Sequence, residues 1–358
     1  MCCPGGTRQY TSRAPTASTF VKRGTFVTDT KFDVLAIGNA IVDILVHTDD
    51  RFLKTHDLIK GTMGLVDLDA SQSLYDKVRP TLECSGGSAA NTIAGVASLG
   101  GRGAFIGKVH DDELGRVFTK DMRATGVHFE TAPTTDGAKT ASSLVLVTPD
   151  AERTMQTYLG ACVELSSDDI GTEDIPAAQV TYLEGYLWDP PAAKQAFIKA
   201  IKLARGAGRE VSLSLSDPFC VDRHRADFAK LIDGHVDILF ANEEEIMSLY
   251  QVETFDEAIA AVTGQCNIAA LTRSAEGCVI VSGDQVLTLA AETVDEVVDT
   301  TGAGDAFAAG FLAGYTQGRD LATSARMANI AAGEAISHLG ARPAARLADL
   351  VAERTGEN

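Results

Sequence analysis

From Phe32 onward the apolar positions fall into two alternating kinds of run. Short, nearly continuous apolar stretches, the pattern of strands buried on both faces, occur at "FDVLAIG" (32–38), "GAFIGKV" (103–109), "VTYLEGY" (180–186), "EVSLSLS" (210–216), "VDILFAN" (236–242) and "NIAALTR" (267–273). Between them lie helical stretches at 192–205 and 243–250, and a small-residue run, "GGSAANTIAGVASLGG", with Ile93, Val96 and Leu99 on one side. The alternation predicts a mostly parallel sheet covered by helices on both faces. Two regions break it. "TASSLVLVT" and "RTMQTYL" flank "PDAE" as a hairpin, and 43–67 shows no obvious helix, so a small β appendage is expected from roughly 43–67 and 138–160. "GCVIVSGDQVLTLAA" is a further hairpin, turning at Gly283-Asp284.

In an open parallel sheet ligands sit beyond the C-terminal strand ends. The polar residues expected there are Asn39 and Asp43, Asn242 and Glu245, Thr272 and Ser274, and the run from Asp299 to Asp305. The last belongs to "VVDTTGAGDAFAAGFLAGY", which reads as a strand, a glycine turn and a helix carrying Phe307, Phe311 and Tyr315 at i, i+4, i+8. Such a turn is an anion cradle, because unpaired N–H groups and the positive end of the helix dipole face one spot. Asp305 puts a carboxylate in that cradle. Phosphoryl transfer to an alcohol needs both features together: donors for charge that develops on the phosphoryl oxygens, and an acceptor for the hydroxyl proton. The plainer reading of Asp305 is a first-turn helix acid.

Other chemistries lack their motifs. There is no G-x-x-x-x-G-K-[ST], no G-x-G-x-x-G at "GAGDAF", no H-E-x-x-H and no G-x-S-x-G. The chain of 358 residues carries a net charge of −18, from 49 acidic and 31 basic residues, which argues against a nucleic-acid track. No apolar run is long enough for a membrane helix. Seven scattered cysteines without a C-x-x-C pair suit a reducing compartment better than a disulfide framework. Residues 1–31 are rich in Thr, Ser, Gly and Arg, with no acid before Asp29. They are expected to be a disordered or leader-like extension, or the product of a start codon assigned too far upstream, ahead of one domain over 32–358. A cytoplasmic protein is expected, with organellar import through residues 1–31 as the alternative.

Three motifs, in order, carry a family resemblance. "DTTGAGDAF" (299–307), "SGGSAANTIAGVASLGG" followed by "IGKVHDDELG", and the N-x-x-E element "NEEE" resemble the signatures of the PfkB, or ribokinase-like, carbohydrate and nucleoside kinases, over about 32–345. The resemblance implies a three-layer αβα sandwich with a mostly parallel central sheet and a small β lid. It implies Asp305 as catalytic base, with the amides of Gly302, Ala303 and Gly304 as anion hole. Asp43, Gly86, Gly87 and Asn91 would hold acceptor hydroxyls. Asn242 and Glu245 would organise Mg²⁺ and phosphate through water; Thr272, Ser274 and Gly277 would line the ATP side, with Asn329 near adenine. Asp299 and Thr301 match positions that in some members help bind a monovalent cation such as K⁺.

"IGNAIVDI", with Asn39 four residues before Asp43, resembles the adenosine-kinase branch, as do "ERTMQTYLGA" and "EGYLWDPP". Ile41, Tyr186, Leu187 and Trp188 would then offer apolar and aromatic surface to a purine. The implied partners are ATP and a small nucleoside or sugar, in a monomer or homodimer. A ribokinase- or fructokinase-like sugar kinase is the alternative, a non-catalytic nucleoside sensor a third reading, and a dehydrogenase the outsider.

Overall fold

The strand Phe32–Ile37 lies inside a nine-stranded sheet. In the computed structural model, which describes residues 30–150 and 152–356, the sheet runs Gln285–Leu289, Cys278–Ser282, Ile268–Thr272, Ile238–Asn242, Glu210–Ser214, Ala178–Glu184, Phe32–Ile37, Gly103–Ile106, His128–Phe129. Of the extension expected over 1–31, only Thr30 and Lys31 fall within the described residues. Neighbours are parallel from Ile268–Thr272 to His128–Phe129, and the hairpin Cys278–Leu289 adds two antiparallel strands at one edge. Side chains alternate between the two faces. Leu35 and Ile37 enter one core with Leu183, Leu213 and Leu239, while Val34 and Ala36 enter the other with Tyr182, Phe240 and Phe311. Both faces are covered by helices, which gives the expected α/β sandwich. Each fully buried Leu or Phe contributes about 1.5–3 kcal/mol of transfer free energy.

A second sheet orders Met63–Leu65, Arg153–Tyr158, Ala141–Val147, Ile41–His47, Leu82–Gly86. It contains the expected hairpin, and it also takes in Leu82–Gly86, outside both ranges read from the sequence. Val42, Ile44, Val46, Leu144 and Leu146 are buried on one face. Ile41, Asp43, Leu45, Val145 and Met155 are turned the other way, into a cavity. Within 43–67 the chain forms the helix Asp50–Thr55, where none was expected. Asp49 caps it by accepting from Phe52 N at 2.8 Å; six residues are too few to display a helical period.

Two helices set the site. Ser88–Ser98 begins after Gly87 at φ +98°, and Ala303–Thr316 after Gly302 at φ +79°. They pack without bulk between them. A Cβ on Gly95 would stand 2.6 Å from Ala309 Cβ, and on the far side one on Gly310 would stand 2.5 Å from Ala328 Cα in the helix Leu321–Ala335. The segment before Gly302, expected as a strand through "EVV", is irregular from 290 to 301 and is tied back by Val298 N donating to Ile336 O at 2.8 Å.

Candidate active site

A cavity of about 1120 Å³ lies where the second sheet faces the C-terminal ends of the main-sheet strands. Of the residues singled out from the sequence, Ile41, Asp43, Gly87, Asn91, Tyr186, Asn242, Glu245, Thr272, Ser274, Gly277, Thr301, Gly302, Ala303, Gly304, Asp305 and Asn329 line it. Asn39, Gly86 and Asp299 stand behind the wall.

Asp305 is where the two helix starts meet. Its Oδ1 accepts from Ser88 Oγ at 2.6 Å and its Oδ2 from Asn91 Nδ2 at 3.0 Å, residues one turn apart on the facing helix. Burial raises its pKa, against the hydrogen bonds from Ser88 and Asn91 and the charge of Arg342. Asn91, expected on the acceptor's hydroxyls, has its amide on this carboxylate and its Oδ1 without a partner at the cavity wall. Of the three amides expected to face an anion, Ala303 N–H closes a turn on Thr300 O at 3.2 Å, while Gly304 is exposed with open space where a Cβ would stand.

Across the cavity, burial lifts the Asp43 carboxyl to about 6, against the opposing charges of Arg153 and Arg342. A Cβ at Gly86 would stand 2.2 Å from Asp43 Oδ2, so the glycine makes room for that carboxylate. Gly87 has its own reason: a Cβ there would meet Asn39 O at 2.2 Å. Asn39 itself turns inward. Its Nδ2 donates to Glu184 Oε1 at 2.6 Å, and Glu184 Oε2 also accepts from Ala89 N at 2.8 Å. Burial moves Glu184 up to about 7.

On the opposite wall, Asn242 and Glu245 form a capping box on the helix Glu243–Tyr250. Glu245 N donates to Asn242 Oδ1 at 2.8 Å, and Asn242 Nδ2 to Glu245 Oε1 at 2.7 Å. Glu245 is 5% exposed, and burial raises it to about 7, with added repulsion from Asp217 and Glu244. Asn329 Nδ2 donates to Ala290 O at 2.8 Å, fixing the irregular segment. Ser274 and Gly277 both take positive φ, +49° and +89°, around the turn after Ile268–Thr272. Tyr186 is 38% exposed in the cavity, but Leu187 and Trp188 are not available to a purine. Both are buried in the core, and Trp188 Nε1 donates to Asp227 Oδ2 at 2.9 Å.

The family model for pfkB family carbohydrate kinases matches residues 66–346. The chain belongs to this family. Among solved structures, it is similar to adenosine kinase from Sinorhizobium meliloti, 51% identical, TM-score 0.83, over 91% of this chain and 99% of that one. A probable sugar kinase from Rhizobium etli CFN 42 is 49% identical, TM-score 0.84, over 91% and 99%. The adenosine kinase of Saccharomyces cerevisiae is 26% identical over 86% of this chain and 95% of its own. By these likenesses the chain stands on the adenosine-kinase-like branch, and this PfkB protein is an ATP-dependent kinase that phosphorylates a hydroxyl group. The family uses ATP with a divalent metal.

The sequence reading missed the cations of this kinase. Arg153, from the second sheet, pairs with Asp299, which also accepts from Gly340 N at 2.9 Å and Thr301 N at 3.0 Å. Arg342 donates to Ser85 O at 2.9 Å and to Ser85 Oγ, and Ser85 is held in turn by Asp121. Both arginines line the cavity. The available signal was arithmetic: so many carboxylates at one sheet edge require buried cations nearby. No helix among the described residues is long and apolar enough to cross a membrane, and the described cysteines are free thiols.

Proposed function

We propose that this kinase transfers the γ-phosphoryl group of ATP to the 5′-hydroxyl of a purine nucleoside, adenosine foremost, giving AMP and ADP. The observation that carries the reading is the Asp305 carboxylate at the junction of two helix starts, facing a cavity large enough for two ligands. Asp305 takes the hydroxyl proton as the acceptor oxygen attacks the γ-phosphorus and the bond to ADP breaks. The first-turn amides, Gly304 foremost, stabilise the charge on the transferring oxygens. The ionised Asp43 accepts from ribose hydroxyls, while Ile41, Leu45, Val145 and Met155 cover the base with an apolar surface. Closure of the second sheet as a lid excludes water that would otherwise hydrolyse ATP.

Mg²⁺ suits the opposite wall. No group of three or more His, Cys, Asp or Glu among the described residues could hold a metal by itself, so a cation there must share its shell with phosphate and water, as Mg²⁺ does. The buried Glu245, raised in pKa beside Asp217, is a carboxylate that a nearby divalent cation would keep ionised, with Asn242 fixing its orientation. Bound Mg²⁺ supplies charge neutralisation on the phosphates.

The likeness to the Rhizobium etli probable sugar kinase favours a second reading, a sugar as acceptor. ADP release with adenosine, inosine, ribose and fructose, compared at equal concentrations, separates the two. Adenosine is expected to give the highest kcat/KM, and absence of turnover on every nucleoside would sink the first reading.

A further inference from the structure

Asp299 occupies the position that resemblance links to K⁺ in some kinases of this family, yet its carboxylate already holds three donors, one of them a guanidinium. Oδ1 accepts from Thr301 N, and Oδ2 accepts from Gly340 N and from the Arg153 guanidinium. The ion pair is enclosed, the two side chains being 10% and 5% exposed. An arginine keeps its charge at any working pH, so the positive charge at this corner is permanent and covalently held. A monovalent cation entering beside it would be desolvated against a like charge. The residues present therefore do not fit K⁺.

We propose that Arg153 takes the place of a monovalent cation at this corner, so that phosphoryl transfer is independent of K⁺ and the second sheet positions the glycine turn. The covalent path is short on both sides. Arg153 opens the strand Arg153–Tyr158, opposite Val147 in the hairpin, and Asp299 lies three residues before Gly302, which starts the helix that carries Asp305. An exchangeable ion would steady the turn regardless of where the second sheet lies. The guanidinium steadies it only when that sheet is down over the cavity, with Arg153 also beside Asp43. Arg153 is a positioning residue, acting on the transferring phosphoryl group through Asp299, Thr301 and the turn.

The inference rests on phosphoryl transfer itself and not on the identity of the alcohol, so the assay uses whichever acceptor the panel shows to turn over fastest. Initial rates of the parent enzyme are measured in potassium, sodium and tetramethylammonium chloride at equal ionic strength, and are expected to agree within about twofold. Arg153→Met is expected to lower kcat about 10²-fold with a smaller change in acceptor KM, because the turn is misplaced rather than the acceptor lost. Millimolar guanidinium is expected to restore part of the loss, and Arg153→Lys to retain more activity than Arg153→Met. A parent rate that rises tenfold or more with K⁺ overturns the proposal, as does an Arg153→Met enzyme with parental kcat. If that variant does not fold, the salt series on the parent enzyme decides alone.

Discussion

Asp305 carries two opposed influences. Burial favours its protonated form, while Ser88, Asn91 and the Arg342 charge favour the carboxylate, and burial prevails. A base must be ionised, so kcat/KM is expected to fall with falling pH along a limb lying above the ordinary carboxylate range. Asp305→Asn removes proton acceptance while keeping the side chain's size, and is expected to lower kcat about 10²–10⁴-fold. Calorimetry should find acceptor binding near the parent value. Near-parental turnover would take the proton away from this residue. Asp305 was legible in the chain because its neighbours in sequence, Gly302 to Gly304, are also its neighbours in the site. Arg153 and Arg342 were not, since their partners stand 146 and 257 residues away and nothing local marks a cation as buried. Trp188 was misread for the complementary reason: an aromatic near a strand end is equally suited to the core, and here its indole N–H finds Asp227 on the side away from the cavity.

Among the elements, the helix Glu243–Tyr250 shows how a family signature can also be a folding device. N-x-x-E is a capping box, and the same two side chains that close the helix start present Glu245 to the cavity. Asn242→Ala is expected to cost about 1 kcal/mol in urea unfolding, the usual worth of such a cap. It should also raise the divalent-metal concentration needed for half-maximal rate, because Glu245 loses its orienting amide. Unchanged stability together with unchanged metal dependence would show that the box does neither job. The core strands were readable because they are apolar on both faces, as Val34 to Ile37 illustrates. Asp50–Thr55 was not, being shorter than two helical turns, and Leu82–Gly86 lacked the apolar alternation that marks a strand.

For the whole molecule, the buried acids make a statement about stability. Asp43 and Glu184 have folded pKa values of about 6 and about 7, above their ordinary values of 3.8 and 4.5, and Glu245 likewise reaches about 7 from 4.5. A carboxyl raised on folding binds its proton more tightly in the native state. Its contribution is therefore full below the unfolded value and lost as pH rises through the folded one. Acids lowered on folding, such as Asp150 at about 2, titrate below this window. The thermal midpoint of the ligand-free protein is expected to fall as pH rises from about 5 to about 7.5. A midpoint that climbs across that interval would contradict the burial of these three groups.

The glycine contacts of Ala303–Thr316 have a mechanical consequence. A helix seated on Ala309 against Gly95 and on Gly310 against Ala328 has backbone where other helices have compressible side chains, so it can neither roll nor slide without collision. Asp305 therefore behaves as a fixed anvil. Under the proposed reaction, the travel that brings two substrates together is expected to come from the second sheet, which leaves the main sheet at residues 38–40 and passes through Gly87 to the helix Ser88–Ser98.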